Sequence, residues 1–169
     1  MKKFLLVLAA FAALVSCKNA TKDADSEYAV DMFKKGEVLP AFSLEDRTGV
    51  VRTQADFAGK YAVYDFWATW CPDCRADLPA MKDLYEKYGD KVAFVGFSFD
   101  TDPEKLDAYV AENEIGWMQL SDFVTKKESK VAEDFRVKWI PSMYLVGPDG
   151  KVLLGTVMVN KLALALEAL

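Results

Sequence analysis

Two cysteines three positions apart, Cys71 and Cys74, stand in the segment Trp67-Ala68-Thr69-Trp70-Cys71-Pro72-Asp73-Cys74. A thiol pair at that spacing can cycle between dithiol and disulfide, or supply half of a zinc or iron–sulfur site. Metal binding needs about four ligands. The only other cysteine is Cys17 and the 169-residue chain has no histidine, so no metal is expected. A purely structural disulfide is the stronger competitor, but a bridge across three positions closes a tiny loop and constrains the unfolded chain little. Redox exchange is the reading that uses the placement. The repeat Leu78, Met81, Leu84, Tyr85, stopped by Gly89, predicts a helix from Pro72 to Tyr88. Cys71 then lies against the unsatisfied N–H groups of the first turn, which stabilise a thiolate. Cys71 is the expected attacking thiol and Cys74 the resolving one.

The surrounding elements follow from periodicity. Tyr61 to Trp67 reads as a strand of β-branched and aromatic type, interrupted by one carboxylate, Asp65. Val92 to Phe99 is almost continuously apolar, as a strand buried on both faces should be. Phe42-Ser43-Leu44 and Val50-Val51 flank a glycine turn and predict a short hairpin. Asp102-Pro103 opens a helix running through Val110, Glu128 to Phe135 gives another, and Asn160 to Leu169 a terminal one. Met143–Val146 and Val152–Val157 flank Gly147-Pro148-Asp149-Gly150 and predict an antiparallel hairpin. The order implies an α/β fold, a central mixed sheet with helices on both faces and an N-terminal hairpin extension.

The N-terminus has a different character. Lys2 and Lys3 precede an apolar run from Phe4 to Leu14, then Leu14-Val15-Ser16-Cys17. This is the pattern of a secretory signal, and the run is short of the ~20 residues that a membrane-spanning helix needs. Leu-x-Ser-Cys also resembles the bacterial lipobox, which implies that residues 1–17 are a lipoprotein signal peptide with its lipidated cysteine at Cys17, anchored in a lipid membrane. Residues 18–35 are polar and read as a flexible tether, leaving 36–169 as one domain. With Lys2 and Lys3 gone, 19 Lys and Arg face 26 Asp and Glu, a mature charge of −7. Together with the lack of a Lys/Arg-rich run, this excludes nucleic acid as an expected partner.

Asp65-Phe66-Trp67-Ala68-x-Trp70-Cys71-x-x-Cys74, set between a strand and a helix, resembles the active site of the thioredoxin superfamily. Trp139-Ile140-Pro141-Ser142 resembles its cis-proline loop. The export signal, Leu39-Pro40-x-Phe42-x-Leu44, Val95-Gly96-Phe97-Ser98 and Gly147-Pro148-Asp149-Gly150-Lys151-Val152 are similar to the TlpA/ResA branch of membrane-anchored bacterial thiol-disulfide oxidoreductases. The resemblance implies a thioredoxin fold, a cis peptide before Pro141 and no cofactor beyond the dithiol. It further implies exported, disulfide-containing client proteins, a membrane thiol electron donor, a place in the cell envelope on the periplasmic side, and a mostly reductive role that includes cytochrome c maturation. Trp70, Pro72, Ile140 and Pro141 become the expected substrate-binding residues, and Pro141 joins the two cysteines at the catalytic centre.

That branch more often carries Asn where this chain has Asp65, which instead resembles the buried aspartate of cytoplasmic thioredoxins. The expected role of Asp65 is proton transfer to and from Cys74, since burial raises a carboxyl pKa toward neutrality and no imidazole is present. An ordinary strand aspartate is the alternative. Trp67 is either a shield for the dithiol or core; Asp73 either tunes the thiols or solvates the helix start, and Arg75 is placed to offset it. Two other functions share the fold class. Peroxiredoxins have Pro-x-x-x-Thr-x-x-Cys, whereas Tyr64 and Ala68 occupy the Pro and Thr positions here, removing the peroxide-activating hydroxyl. A non-catalytic binding lipoprotein would have no use for an intact dithiol.

Overall fold

The computed structural model describes residues 23–169, so Cys17 and the leader lie outside the described residues. In chain order the elements are α1 (Asp25–Tyr28), β1 (Ser43–Glu45), β2 (Val51–Thr53), β3 (Tyr61–Trp67), α2 (Pro72–Tyr88), β4 (Val92–Ser98), α3 (Pro103–Glu112), β5 (Met118–Leu120), α4 (Lys130–Asp134), β6 (Ser142–Val146), β7 (Val152–Thr156) and α5 (Val159–Glu167). A 3-10 turn, Gln54–Phe57, follows β2. The main sheet has the order β5-β4-β3-β6-β7. β3 runs parallel to β4 and β4 to β5, while β6 is antiparallel to both β3 and β7. The predicted hairpin is the separate pair β1 and β2.

The period of two along β3 and β4 sorts their side chains onto the two faces of the sheet. Tyr64, Phe66 and Phe97 join Phe42 and Phe135 in a continuous aromatic cluster; Phe66 stacks on Phe97 at 4.8 Å and meets Phe135 at 5.2 Å. Phe66 and Phe135 are fully buried, and truncating such a ring typically costs ~3–5 kcal/mol. Asp65 and Trp67 line the opposite face together with Cys74 and Met81 of α2. The aromatic face therefore fixes the strand, and the other face carries the chemistry.

Residues 23–35, expected as part of a flexible tether, lie packed on the domain. Ala29 and Met32 are buried. The Asp25 carboxylate accepts hydrogen bonds from Thr156 Oγ1 and the Val157 N–H, both at 2.8 Å, and pairs with Lys161 at 2.7 Å. Asp23 meets the same ammonium at 2.6 Å. These partners lie more than a hundred residues away in sequence, which is why the polar composition of the segment conceals them.

Candidate active site

Cys71 has extended backbone angles and caps α2, with Pro72 in the first turn, where its missing N–H costs nothing. The Cys74 N–H donates to Cys71 Sγ at 3.2 Å, supplying one donor that stabilises negative charge on that sulfur. The two cysteines form a disulfide with their Cα atoms 5.3 Å apart, and both are buried. The turn leading into them is fastened from β4's end: buried Asp100 accepts from the Thr69 N–H at 2.9 Å, from Thr69 Oγ1 at 2.5 Å and from Ser98 Oγ at 2.6 Å. The Ile140–Pro141 peptide is cis, and the Ile140 carbonyl oxygen lies 3.6 Å from Cys71 Sγ. Trp70 and Trp139 stand exposed, at 55% and 54%, around this buried bridge.

Behind the disulfide, Asp65, Cys74, Asp77, Pro141 and Met143 line an enclosed cavity of about 10 Å³, room for about one water molecule. Burial, reinforced by the charge of Asp77, pushes the Asp65 pKa up to about 7. Asp77 is itself raised, by burial first and then by Asp73. A carboxyl that changes protonation near neutrality, facing the inner cysteine across a water-sized gap, can hold or release the proton that the Cys74 thiol loses.

Residues 59–152 match the thioredoxin-like family, more than half of the chain and a span that contains Asp65, both cysteines and Pro141. The chain belongs to the thioredoxin-like family. The thiol-disulfide oxidoreductase ResA of Oceanobacillus iheyensis is 29% identical over 153 residues, covering 88% of this chain and 74% of that protein. The thioredoxin-like protein YneN of Bacillus subtilis is 31% identical over 119 residues, 70% of this chain and 69% of that one. Among solved structures, a thiol-disulfide oxidoreductase from Bacteroides fragilis superposes with a TM-score of 0.73 at 26% identity, over 78% of this chain and 98% of that one. The thioredoxin domain of a thiol-disulfide oxidoreductase from Bacteroides vulgatus gives 0.72 at 28%, over 80% and 97%.

Within this thioredoxin-like domain the structure gathers Cys71, Cys74, Asp65, Ile140 and Pro141 in one place, with Trp70 and Pro72 at the rim. Trp67 is core: it is buried, and its Nε1 donates to Gln119 Oε1 at 2.9 Å. That contact requires Gly96, because a Cβ there would overlap the Gln119 amide. Sequence reasoning missed Asp100 and Gln119, and named Trp139 only as part of the Pro141 loop. Asp100 carries a usable signal, an acidic residue directly after a buried strand and two before a helix cap; Gln119 sits in a strand of three residues, too short for periodicity to reveal.

Proposed function

We infer that this protein, a thiol-disulfide oxidoreductase, reduces disulfides of exported proteins outside the cytoplasm, held to a membrane by an acylated Cys17. Cytochrome c maturation is the setting that its resemblance to the TlpA/ResA branch implies. The cycle starts from the dithiol. The Cys71 thiolate attacks a client disulfide, forming the Cys71–client bond and releasing one client thiolate; Cys74, deprotonated toward Asp65, then attacks Cys71 Sγ and releases the second client thiol. Two electrons and two protons pass to the client, and the Cys71–Cys74 disulfide that remains is reduced again by a membrane dithiol donor.

The observation that carries the direction of transfer is the acidic surround of the dithiol. Strong oxidants of this superfamily owe their potential to an unusually stabilised thiolate, with a pKa of about 3.5 against about 7 for thioredoxin. Here Asp73 lies between the thiols and Asp77 lines the cavity with Cys74. Their charge opposes a thiolate and offsets the helix-terminus contribution of ~0.3–1 kcal/mol. The expected potential is near thioredoxin's, about −270 mV. Insulin reduction with dithiothreitol tests the activity, and equilibration with a glutathione series tests the direction. A potential above about −180 mV, the isomerase value, overturns the reductant reading.

A further inference from the structure

We propose that the loop Lys138–Pro141 reads the charges flanking a client cysteine, selecting an extended segment with carboxylates on one side of that cysteine and Lys or Arg on the other. The inference rests on the disulfide-reductase reading and names its substrate class.

The loop separates two depressions of opposite charge. At its Lys138 end is a cleft of about 570 Å³ bounded by Lys126, Lys127, Arg136 and Lys138, with Asp31 and Glu133 as its acidic members. Four cations against two carboxylates is a local reversal in a chain of net charge −5. Lys126 forms no ion pair among the described residues; its Nζ donates to the Lys138 carbonyl at 2.9 Å. The Arg136 guanidinium lies 3.9 Å over the Phe33 ring and pairs with Glu37 at 3.9 Å. Lys138 is paired with Asp31 at 2.6 Å. Lys127 is exposed and has no ion pair among the described residues.

At the Pro141 end is a groove of about 440 Å³ whose charged lining is Asp73 and Asp77 alone, beside Trp139, Ile140 and Pro141. The neighbouring cation, Arg75, lines a different groove with Lys82 and Tyr109. Between the two ends, the Ile140 carbonyl approaches Cys71 Sγ. The loop bends at Trp139–Pro141, so Lys138, two residue steps from Ile140, lies at most ~7 Å of chain from it, within the reach of about two or three client residues. A segment whose cysteine meets Cys71 therefore lays its neighbours over the basic cleft in one direction and over the acidic groove in the other. Complementary charges at the rim fix orientation and encounter rate more than affinity.

The test uses the full chain with dithiothreitol as reductant and three peptides, each disulfide-bonded through one cysteine to a fluorescent thiol. One carries Glu-Glu before the cysteine and Lys-Lys after it, one the reverse, and one serine throughout. At low ionic strength one charged order should be reduced about five-fold faster in kcat/KM than the other, and the gap should close in 0.5 M NaCl. Lys127→Glu combined with Lys138→Glu should remove at least half of that preference, while the serine peptide changes less than two-fold. Because Lys138 also holds Asp31, Lys127→Glu alone is the second variant and should shift the preference in the same direction. Equal rates for the two charged orders, or a preference that both variants retain, overturn the proposal while leaving the reductase intact. Failure of the wild type to reduce insulin or the serine peptide overturns the reductase reading, and the proposal with it.

Discussion

Replacing Asp65 with asparagine should make the protein more stable at pH 8 and no more stable at pH 4. In the folded chain the carboxyl is pushed from 3.8 to about 7, by burial first and by Asp77 second. A raised acid pKa means that between these values the native state binds a proton that the unfolded chain has released, so stability is full below about pH 4 and falls as pH rises through 7. From 3.8 to about 7, at 1.36 kcal/mol per pH unit, the loss is roughly 4 kcal/mol. The asparagine side chain keeps the shape without the charge, and the variant should lack this slope. The assay is urea unfolding of the oxidised wild type and of Asp65→Asn at pH 4, 6, 7 and 8, with the two curves diverging from about pH 4 upward and running parallel above about pH 7. A stability difference that stays constant across the range would refute the idea that Asp65 titrates near neutrality, and with it the proton-transfer role. The companion kinetic expectation is slower resolution of the mixed disulfide in Asp65→Asn, with an altered dependence between pH 6 and 9; an unchanged profile would make Asp65 structural.

Cys74→Ser should accumulate mixed disulfides between Cys71 and client proteins on non-reducing gels, whereas Cys71→Ser should not; the opposite pattern would reverse the roles of the two thiols. Mass spectrometry of the membrane fraction should show an acylated N-terminus beginning at Cys17, and an unmodified soluble mature protein would defeat the anchor. Asp25→Ala removes an acceptor used by Thr156 Oγ1, the Val157 N–H and Lys161; it should lower stability by ~1–3 kcal/mol, read as a shift of the urea midpoint. Gly96→Ala drives a methyl into the Gln119 amide and should cost ~1–3 kcal/mol, with the Trp67 fluorescence changed because its Nε1 partner is displaced.

What is legible in the sequence is whatever repeats locally. β3 and α2 have the bounds that the β-branched and aromatic run and the 3.6-residue repeat predict, Tyr61–Trp67 and Pro72–Tyr88, and the resemblance around Pro141 anticipates its cis bond. The helix expected over 128–135 is narrower, Lys130–Asp134, since Ser129 rather than Glu128 provides the cap. β5 escapes because Met118-Gln119-Leu120 is too short for one alternation to count as a period, and the Gln119 amide oxygen is explained by Trp67, 52 positions away. Asp100 escapes for a similar reason. Its position between a buried strand and a helix cap marks it as a candidate, but its partner, the turn before Cys71, lies 31 positions away and cannot be read from its neighbours. Ion pairs and single buried polar contacts are specified by the fold as a whole, whereas hydrophobic period is specified residue by residue.

The docking of residues 23–35 sets a length. If acylated Cys17 is the point fixed in the lipid, six residue steps separate it from Asp23, a contour of about 20 Å at 3.3–3.6 Å per residue. Measured to Gly36, where the chain bonds to Val152 of β7, the separation is nineteen steps, about 65 Å on the same scale. Seating Asp23 and Asp25 on Lys161 thus shortens the leash about three-fold, and the volume it can sweep shrinks far more steeply than its length. An anchor at Cys17 would then confine the dithiol to a short radius from the bilayer, and clients at that surface would meet it at a high local concentration.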